Sequence, residues 1–441
     1  MTREKPRAGS GAGAALHIVR FAPAKLNLTL AVLGRRDDGY HSLHSIMVPL
    51  LFGDVLTVSV SPASAVGDME HVAGPRDMEH VAGPRDMEHV AGPRDMEHVV
   101  GPRDMEHVVG PRDMEHVVGP RDMLHVSGLP VSAAEDNLVL RAIVAVRAAL
   151  TREHPRTSAD LPPLSVRLVK RIPVAAGLGG GSSDAAAAIE AALAAWQTTL
   201  APASKAALAA SLGSDVPFFL AQGAAVITGR GEFVEALPDM TSEPPAVLLV
   251  TPGLPISTAS VFGAYTAGAR PADPARARGI SESLAAHFRA GMTTAALLQG
   301  AQEMAAANDL LPAAISVAPE LEVFIRMLQK VVGRPVCQSG SGPTQWVVYP
   351  TLAEARKAVR MVRLAVARGN LPTFGDGELS AVATAIAGRF APPAVQANGQ
   401  PSVHADRANR PRTVHNGASA DAHPPGDSAG EPLAPKGDDP R

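Results

Sequence analysis

Hydrophobic and polar residues follow two rhythms along this chain, and their order predicts its elements. HIVRFAPAKLNLTLAVLG (17–34) and DVLTVSV (54–60) are β-rich runs bounded by turn residues. NLVLRAIVAVRAALT (137–151) is apolar at helical spacing, with Asp136 or Asn137 as candidate cap. LSVRLVKRI (164–172) returns to a strand pattern, and an alanine-rich helix follows the glycines at 177–181. A second block opens with AVLLVTPG (246–253), a strand running into a turn. It continues with helical LEVFIRMLQKVVG (321–333), strand-like QWVVYP (345–350) and helical TLAEARKAVRMVRLAVARG (351–369). This order predicts an α+β fold rather than an alternating parallel sheet.

Two segments break both rhythms. Residues 68–121 are six units of nine, DMEHVAGPR three times and DMEHVVGPR three times, and DMLHVSGLP (122–130) begins a seventh before drifting. Gly-Pro in every unit interrupts helix and ladder alike. One or two valines per unit offer little burial against the entropy of ordering. The Glu-His pairs do not close a metal site by ligand spacing. The block is expected to loop out from a surface turn, since long insertions cost little, with DMLHVSG as the return strand of a hairpin with DVLTVSV. Residues 391–441 hold nine prolines, one leucine and no aromatic residue, which predicts a disordered tail. A flexible amino terminus (1–17), a domain over 18–245 carrying the 68–121 insertion and a second over 246–390 complete the expected organisation.

Composition narrows the class. The chain has 441 residues, 46% hydrophobic and 19% charged, with a formal charge of −3, so no basic excess points to nucleic acid. The single cysteine, Cys337, excludes an intramolecular disulfide framework and suits a reducing compartment. No apolar run reaches the ~18 residues that span a bilayer, and the amino terminus lacks an apolar core of signal-peptide length. A cytoplasmic protein with no membrane partner is expected.

The chemistry concentrates in IPVAAGLGGGSSDAAAAIEAALAAW (172–196). Four glycines (177, 179, 180 and 181) let backbone N–H groups approach a phosphate, and a helix amino terminus adds partial positive charge. Ser182 or Ser183 could donate to phosphate or coordinate Mg²⁺. The loop is not a Walker loop, because no Lys-Ser/Thr follows, and it misses the third glycine of the dinucleotide fingerprint. PAKLNL places Lys25 and Asn27 two apart on a strand, hence on one face. RRDDGYHSLHSI offers Tyr40 and His41 after a charged turn, and LGSDVPFFL puts Asp215 beside the helix-breaking Pro217. Taken singly, each has a structural alternative: a solvated lysine, a core tyrosine, a surface histidine, an aspartate cap.

In this order the motifs resemble the GHMP superfamily of small-molecule kinases. P-x3-GLGGGSSDAA carries the superfamily likeness; PAKLNL, DGYH, EDNL (135–138) and LGSDVPFF resemble the branch with a cytidyl-bearing substrate. The likeness runs from about Phe21 to SGSGP (339–343) and excludes repeats and tail. It implies a ribosomal-protein-S5-like amino-terminal domain, a ferredoxin-like carboxy-terminal domain and a small-molecule substrate between them. The activity implied is ATP-dependent phosphorylation of the 2-hydroxyl of 4-diphosphocytidyl-2-C-methyl-D-erythritol, in isoprenoid precursor synthesis, with ATP and Mg²⁺ as cofactors and a monomer or homodimer as the assembly.

By the same resemblance, Pro173, Val174, Ala175, Ala176, Gly177, Leu178, Gly179, Gly180, Gly181, Ser182 and Ser183 form the ATP phosphate loop. Asn137 and Leu138 lie near adenosine, and Ser183 is the expected Mg²⁺ ligand. Asp215 and Lys25 match the catalytic carboxylate and lysine. Tyr40 matches the ring that stacks on cytosine, His41 the group that reads its edge, and Asn27 and Thr258 further substrate positions. Phe262 matches the opposite wall of the cytosine slot. The alternatives are another GHMP kinase (for mevalonate, homoserine or a sugar), or a non-catalytic scaffold that uses the repeats.

Overall fold

In the computed structural model, the structure describes residues 17–60, 114–118, 122–129, 137–153, 160–374 and 379–389. The expectations for the amino terminus before His17, for most of the repeat block and for the tail lie outside these residues.

The first part of the chain supplies β1 (His17–Arg35), β2 (His41–Val60), β3 (Met114–Val118), β4 (Asp122–Gly128), α1 (Leu138–Glu153) and β5 (Leu164–Lys170). It continues with α2 (Gly180–Ala195), α3 (Pro202–Leu212), α4 (Val216–Ala221), β6 (Ala225–Gly229) and β7 (Phe233–Ala236). These strands form one seven-stranded sheet in the order β3-β4-β5-β2-β6-β7, with β1 also paired to β2. β2 is the pivot: it pairs with β1 along its length, with β5 through Val55–Val60 and with β6 through Leu43–Met47. Register shifts at Pro23/Lys25, Asn27/Thr29 and Val32/Gly34 bend β1 where its candidate residues stand.

The remainder supplies β8 (Ala246–Thr251), α5 (Thr258–Thr266), α6 (Arg276–Gly291), α7 (Thr294–Gln299), α8 (Ala301–Ala305), α9 (Leu311–Val317) and α10 (Glu320–Val332). After these come β9 (Cys337–Gln338), β10 (Gln345–Tyr349), α11 (Leu352–Ala367) and β11 (Ser380–Ala385). The four strands form an antiparallel sheet ordered β11-β8-β10-β9. The α+β expectation holds.

Burial follows the sequence rhythms. Along β8, Leu248 and Val250 pack with Phe324 and Leu328 of α10 and with Val359 and Val362 of α11. Val247 and Leu249, on the opposite face, share a core with Leu26, Leu28, Ile46 and Val48 of the first sheet. α2 is rich in alanine because it is sandwiched. Ala185, Ala188, Ala191 and Ala192 are fully buried against α1 and the first sheet, where larger side chains would overpack. α1 starts as its pattern predicts, with Asn137 Oδ1 accepting from Val139 N at 2.9 Å; Asp136, the other candidate cap, lies outside the described residues.

Two expectations about the repeats are corrected. DMLHVSG is a strand, β4, but it does not close a hairpin with β2. It runs parallel to β5, which lies between them, because α1 carries the chain across from β4 to β5 in a β-α-β crossover. Nor is the whole 68–121 block outside the fold. Residues 114–118 of the sixth unit form β3, the edge strand antiparallel to β4, with Val118 opposite Asp122. Asp122 then fixes the hairpin to the core: its carboxylate accepts both oxygens' worth of bonds from Arg147 Nη2, at 2.7 and 3.0 Å, and one from Leu164 N at 2.9 Å.

The repeats can therefore be divided by deletion. Removing 68–112 keeps β3 and shortens the connection before it, which by loop-closure entropy stabilises by about 1–2 kcal/mol. Removing 68–121 strips the edge from β4 and should give a lower unfolding midpoint than removing 68–112. Thermal unfolding of the two deletion variants beside the full chain checks the order; equal midpoints would mean that β3 contributes nothing.

Candidate active site

A cavity of about 1120 Å³ opens where β1, the glycine loop, α4 and α5 converge. Its lining includes Lys25, Asn27, Tyr40, His41, Asn137, Leu138, Thr258, Phe262 and Asp215, together with Pro173 through Gly177 and Gly179 through Ser182. Residues some 240 positions apart in sequence are thus brought together. Two expected loop residues are not in the lining. Leu178 is buried in the core shared by the two sheets and takes part through its backbone oxygen, which accepts from Lys25 N at 3.0 Å. Ser183, the expected Mg²⁺ ligand, is 1% exposed, and its Oγ has no hydrogen-bond partner. One step along a helix turns a side chain by about 100°, so Ser182 faces the cavity while Ser183 does not.

At the centre, Lys25 is buried on β1. Its Nζ donates to Asn27 Oδ1 at 2.6 Å and stands 3.7 Å from Asp215 Oδ2. Asn27 is oriented in turn, since its Nδ2 donates to Ser45 Oγ at 2.8 Å. Asp215 occupies the N-cap position of α4 but makes no capping bond, and Pro217 follows in the first turn. The cap alternative is therefore not the one realised: the carboxylate is left free to meet the lysine.

The glycines are required by close approach. Gly177 has φ +76°, and a Cβ there would fall 2.3 Å from Ser339 O. Gly179 has φ +70° at the N-cap of α2, and a Cβ would press on the Lys25 stem and the Phe219 ring. The loop thus packs directly on the turn Ser339–Pro343 of the second sheet. Ser339 Oγ donates to Gly177 O at 2.9 Å, and Thr344 N donates to Ala176 O at 3.3 Å.

Beneath the loop lies a charge cluster that the sequence reading missed. Lys170 Nζ donates to Asp54 Oδ2 at 2.5 Å and to Asp184 Oδ2 at 2.7 Å. Asp54 Oδ1 also accepts from Arg171 N and Ile172 N, which pins the start of the loop. Burial acts to lower the Lys170 pKa, but the charges of Asp184 and Asp54 outweigh it and raise it. Burial pushes the Asp184 carboxyl up to about 8, with repulsion from Asp54 added and the pull of Lys170 not cancelling them. Two signals were present in the sequence. Lys170 falls on an inward position of an alternating strand, and Asp184 is the one charge at the head of an alanine helix.

At the other end of the cavity, the His41 and Phe262 rings are stacked, with centroids 5.2 Å apart and planes 25° apart. Burial, then Arg35 and Arg270, lower the His41 pKa, so the ring is neutral near pH 7. Tyr40 is half exposed and carries the Arg230 guanidinium 5.2 Å from its ring centre. In this geometry the ring packed on Phe262 is that of His41. Thr258 Oγ1 lies 2.9 Å from Ser341 Oγ, which ties α5 to the same turn.

Among the described residues, no group of three or more His, Cys, Asp or Glu could hold a metal ion by itself. A Mg²⁺ ion held mainly by phosphate oxygens needs only one or two protein oxygens. Ser182 and Asp184 line the cavity at the loop, and Asp184 Oδ1 has no hydrogen-bond partner, so hard oxygen ligands fit there. Among the described residues no helix is long and apolar enough to cross a membrane.

A glycine loop opening a helix, beside a buried lysine paired with a partly exposed aspartate, defines a small-molecule kinase of the GHMP type. The family model "GHMP kinases N terminal domain" matches residues 137–223. The chain is 31% identical over 343 residues to a 4-diphosphocytidyl-2-C-methyl-D-erythritol kinase of Chelativorans sp. (strain BNC1), a match covering 78% of this chain and 90% of the relative. It is similar to a crystal structure of a 4-(cytidine 5'-diphospho)-2C-methyl-D-erythritol kinase, with TM-score 0.51 and 26% identity over 84% of this chain and all of the other. Its fold is also similar to that of the Methanococcus jannaschii mevalonate kinase, with TM-score 0.51, 11% identity, and coverage of 87% of this chain and all of the other. The chain belongs to the 4-diphosphocytidyl-2-C-methyl-D-erythritol kinase family.

The charge cluster has a measurable consequence. A carboxyl whose pKa is raised from 3.8 to about 8 on folding holds its proton longer in the folded state. Its contribution to stability is thus complete below about pH 4 and is lost as pH rises through 8. Asp184→Asn cannot titrate. Urea unfolding of parent and variant between pH 4 and 9 should therefore show the parent losing ground against the variant as pH rises. A difference independent of pH would place the shift elsewhere.

Proposed function

We infer that this chain transfers the γ-phosphoryl group of ATP to the 2-hydroxyl of 4-diphosphocytidyl-2-C-methyl-D-erythritol, releasing ADP and the 2-phosphorylated product for isoprenoid precursor synthesis. The observation that carries this reading is Lys25 Nζ standing 3.7 Å from Asp215 Oδ2 beside the glycine loop, in one cavity.

Phosphoryl transfer calls for positioning and charge neutralisation more than for covalent chemistry. Backbone N–H groups of the loop and the amino end of α2 hold the ATP phosphates, while Asn137 and Leu138 edge the adenosine end. Mg²⁺ bound with ATP would neutralise phosphate charge, and the Ser182 hydroxyl and the unpartnered Asp184 Oδ1, whose proton the ion would displace, are the protein oxygens that would hold it. Asp215 accepts the proton of the attacking hydroxyl, a role worth about 10²–10⁴-fold in typical enzymes. Lys25 offers its ammonium protons to the phosphoryl group in transit, and Asn27 steadies both Lys25 and the erythritol end. Tyr40 stacks on cytosine, the neutral His41 ring reads its edge, and Phe262 and Thr258 complete that end. A cytoplasmic location goes with this reading.

The direct test is ATP-dependent phosphorylation of the cytidyl substrate by the purified chain, beside mevalonate and homoserine. Turnover is expected with the cytidyl compound alone; preference for either of the others would overturn the assignment. Stacking contributes roughly 1–3 kcal/mol per base in comparable sites. Tyr40→Ala should therefore raise KM for the cytidyl substrate much more than KM for ATP. If both constants move equally, Tyr40 does not stack on the base.

A further inference from the structure

We propose that Asn308, which lies outside the cavity lining, is a positioning residue for the phosphoryl transfer, holding the Ser339–Pro343 turn in register with Lys25 and the glycine loop. The inference rests on the kinase reading above.

The turn has a demanding place. Gly340 and Ser341 line the cavity, and Gly340 has φ +59°. A Cβ on Gly340 would lie 3.4 Å from each of Asn27 Oδ1, Gly177 O and Lys25 Nζ. Its backbone is therefore the point at which the second sheet touches both the lysine–asparagine pair and the phosphate loop. A small displacement there shifts the loop through Ser339 Oγ and Gly177 O, and shifts α5 through Ser341 and Thr258.

Asn308 is what holds this backbone from behind. Its Nδ2 donates to Gln338 O at 3.1 Å and to Gly340 O at 2.9 Å, while its Oδ1 accepts from Leu310 N at 2.9 Å. All three bonds are buried, and they fix the amide's orientation. The segment carrying Asn308 is itself fastened to β1. Leu30 N donates to Ala307 O at 2.7 Å, Asp309 N donates to Leu30 O at 2.8 Å, and Asp309 Oδ2 accepts from Val32 N at 2.9 Å. Lys25 and Asn27 stand on that same strand. One amide side chain thus ties the strand bearing the lysine to the turn that abuts it, and the two donors of its Nδ2 serve both carbonyls.

The aspartate isostere separates positioning from bulk stability. In Asn308→Asp the two carbonyl oxygens would face carboxylate oxygens, and the turn is pushed away at almost unchanged volume. Asn308→Ser keeps one shorter donor. Measured per folded molecule below the unfolding midpoint, kcat should fall roughly ten- to hundredfold in Asn308→Asp, the scale of small misplacements in active sites. Asn308→Ser should lie between it and the parent, and KM for ATP should stay close to the parent's in both. Combining Asn308→Asp with Ser339→Ala should cost less in kcat than the product of the single effects, because both act through one turn.

If Asn308→Asp does not fold, the serine variant carries the test alone. Parent-like kcat per folded molecule in the folded variants, with only the unfolding midpoint lowered, would overturn the proposal and leave Asn308 a structural residue. A parent chain that does not phosphorylate the cytidyl substrate removes the function reading and this inference together; active variants beside an active parent remove the inference alone.

Discussion

One buried ammonium sets the terms for this molecule. Lys25 Nζ lies inside the protein on β1, where an unpaired charge would be costly. Asn27 Oδ1 at 2.6 Å and Asp215 Oδ2 at 3.7 Å make its burial tolerable. Meeting that need constrains three distant parts of the chain. β1 must bend to present Lys25 and Asn27 on one face, α4 must begin at Asp215 without capping itself, and Gly179 must leave room for the lysine stem.

A second charged arrangement plays the complementary role under the loop. Asp54, Lys170 and Asp184 join β2, β5 and α2, the elements on either side of the glycines. Asp54 also takes the N–H groups of Arg171 and Ile172, so the loop starts from a fixed point. From the other side, the backbone of Ser339–Pro343 presses on Gly177 so closely that no side chain fits between them. The loop is therefore held by charge below and by backbone contact above, while its N–H groups remain available. This suits a site that must receive phosphates without rearranging first.

Much of this was legible in the sequence because the relevant signals are local. Strand-like runs marked β1, the end of β2, β5 and β8; helical spacing marked α1, α10 and α11; and the glycines with the following alanines located the loop and its helix. Lys25, Asn27 and Asp215 were legible through their short motifs. What failed was non-local. Nothing in DMLHVSG says that β5 would lie between it and β2, because strand order is decided by the α1 crossover. The expectation that all six repeats lie outside the fold missed that residues 114–118 of the last unit pair with β4 as an edge strand. The Asp54–Lys170–Asp184 cluster is assembled across 130 positions of sequence. Lys170 is buried against two carboxyl groups brought from distant elements, an arrangement that no window of the sequence displays.

Asp215 is the residue on which the chemistry most directly depends. In Asp215→Asn the shape and most hydrogen bonding are kept while the proton acceptor is removed. Under saturating ATP and cytidyl substrate, single-turnover phosphorylation should slow by about 10² or more, with ADP and ATP affinity within a few-fold of the parent. Single-turnover rates close to the parent's would contradict the assignment of the Lys25–Asp215 pair as the centre of the chemistry.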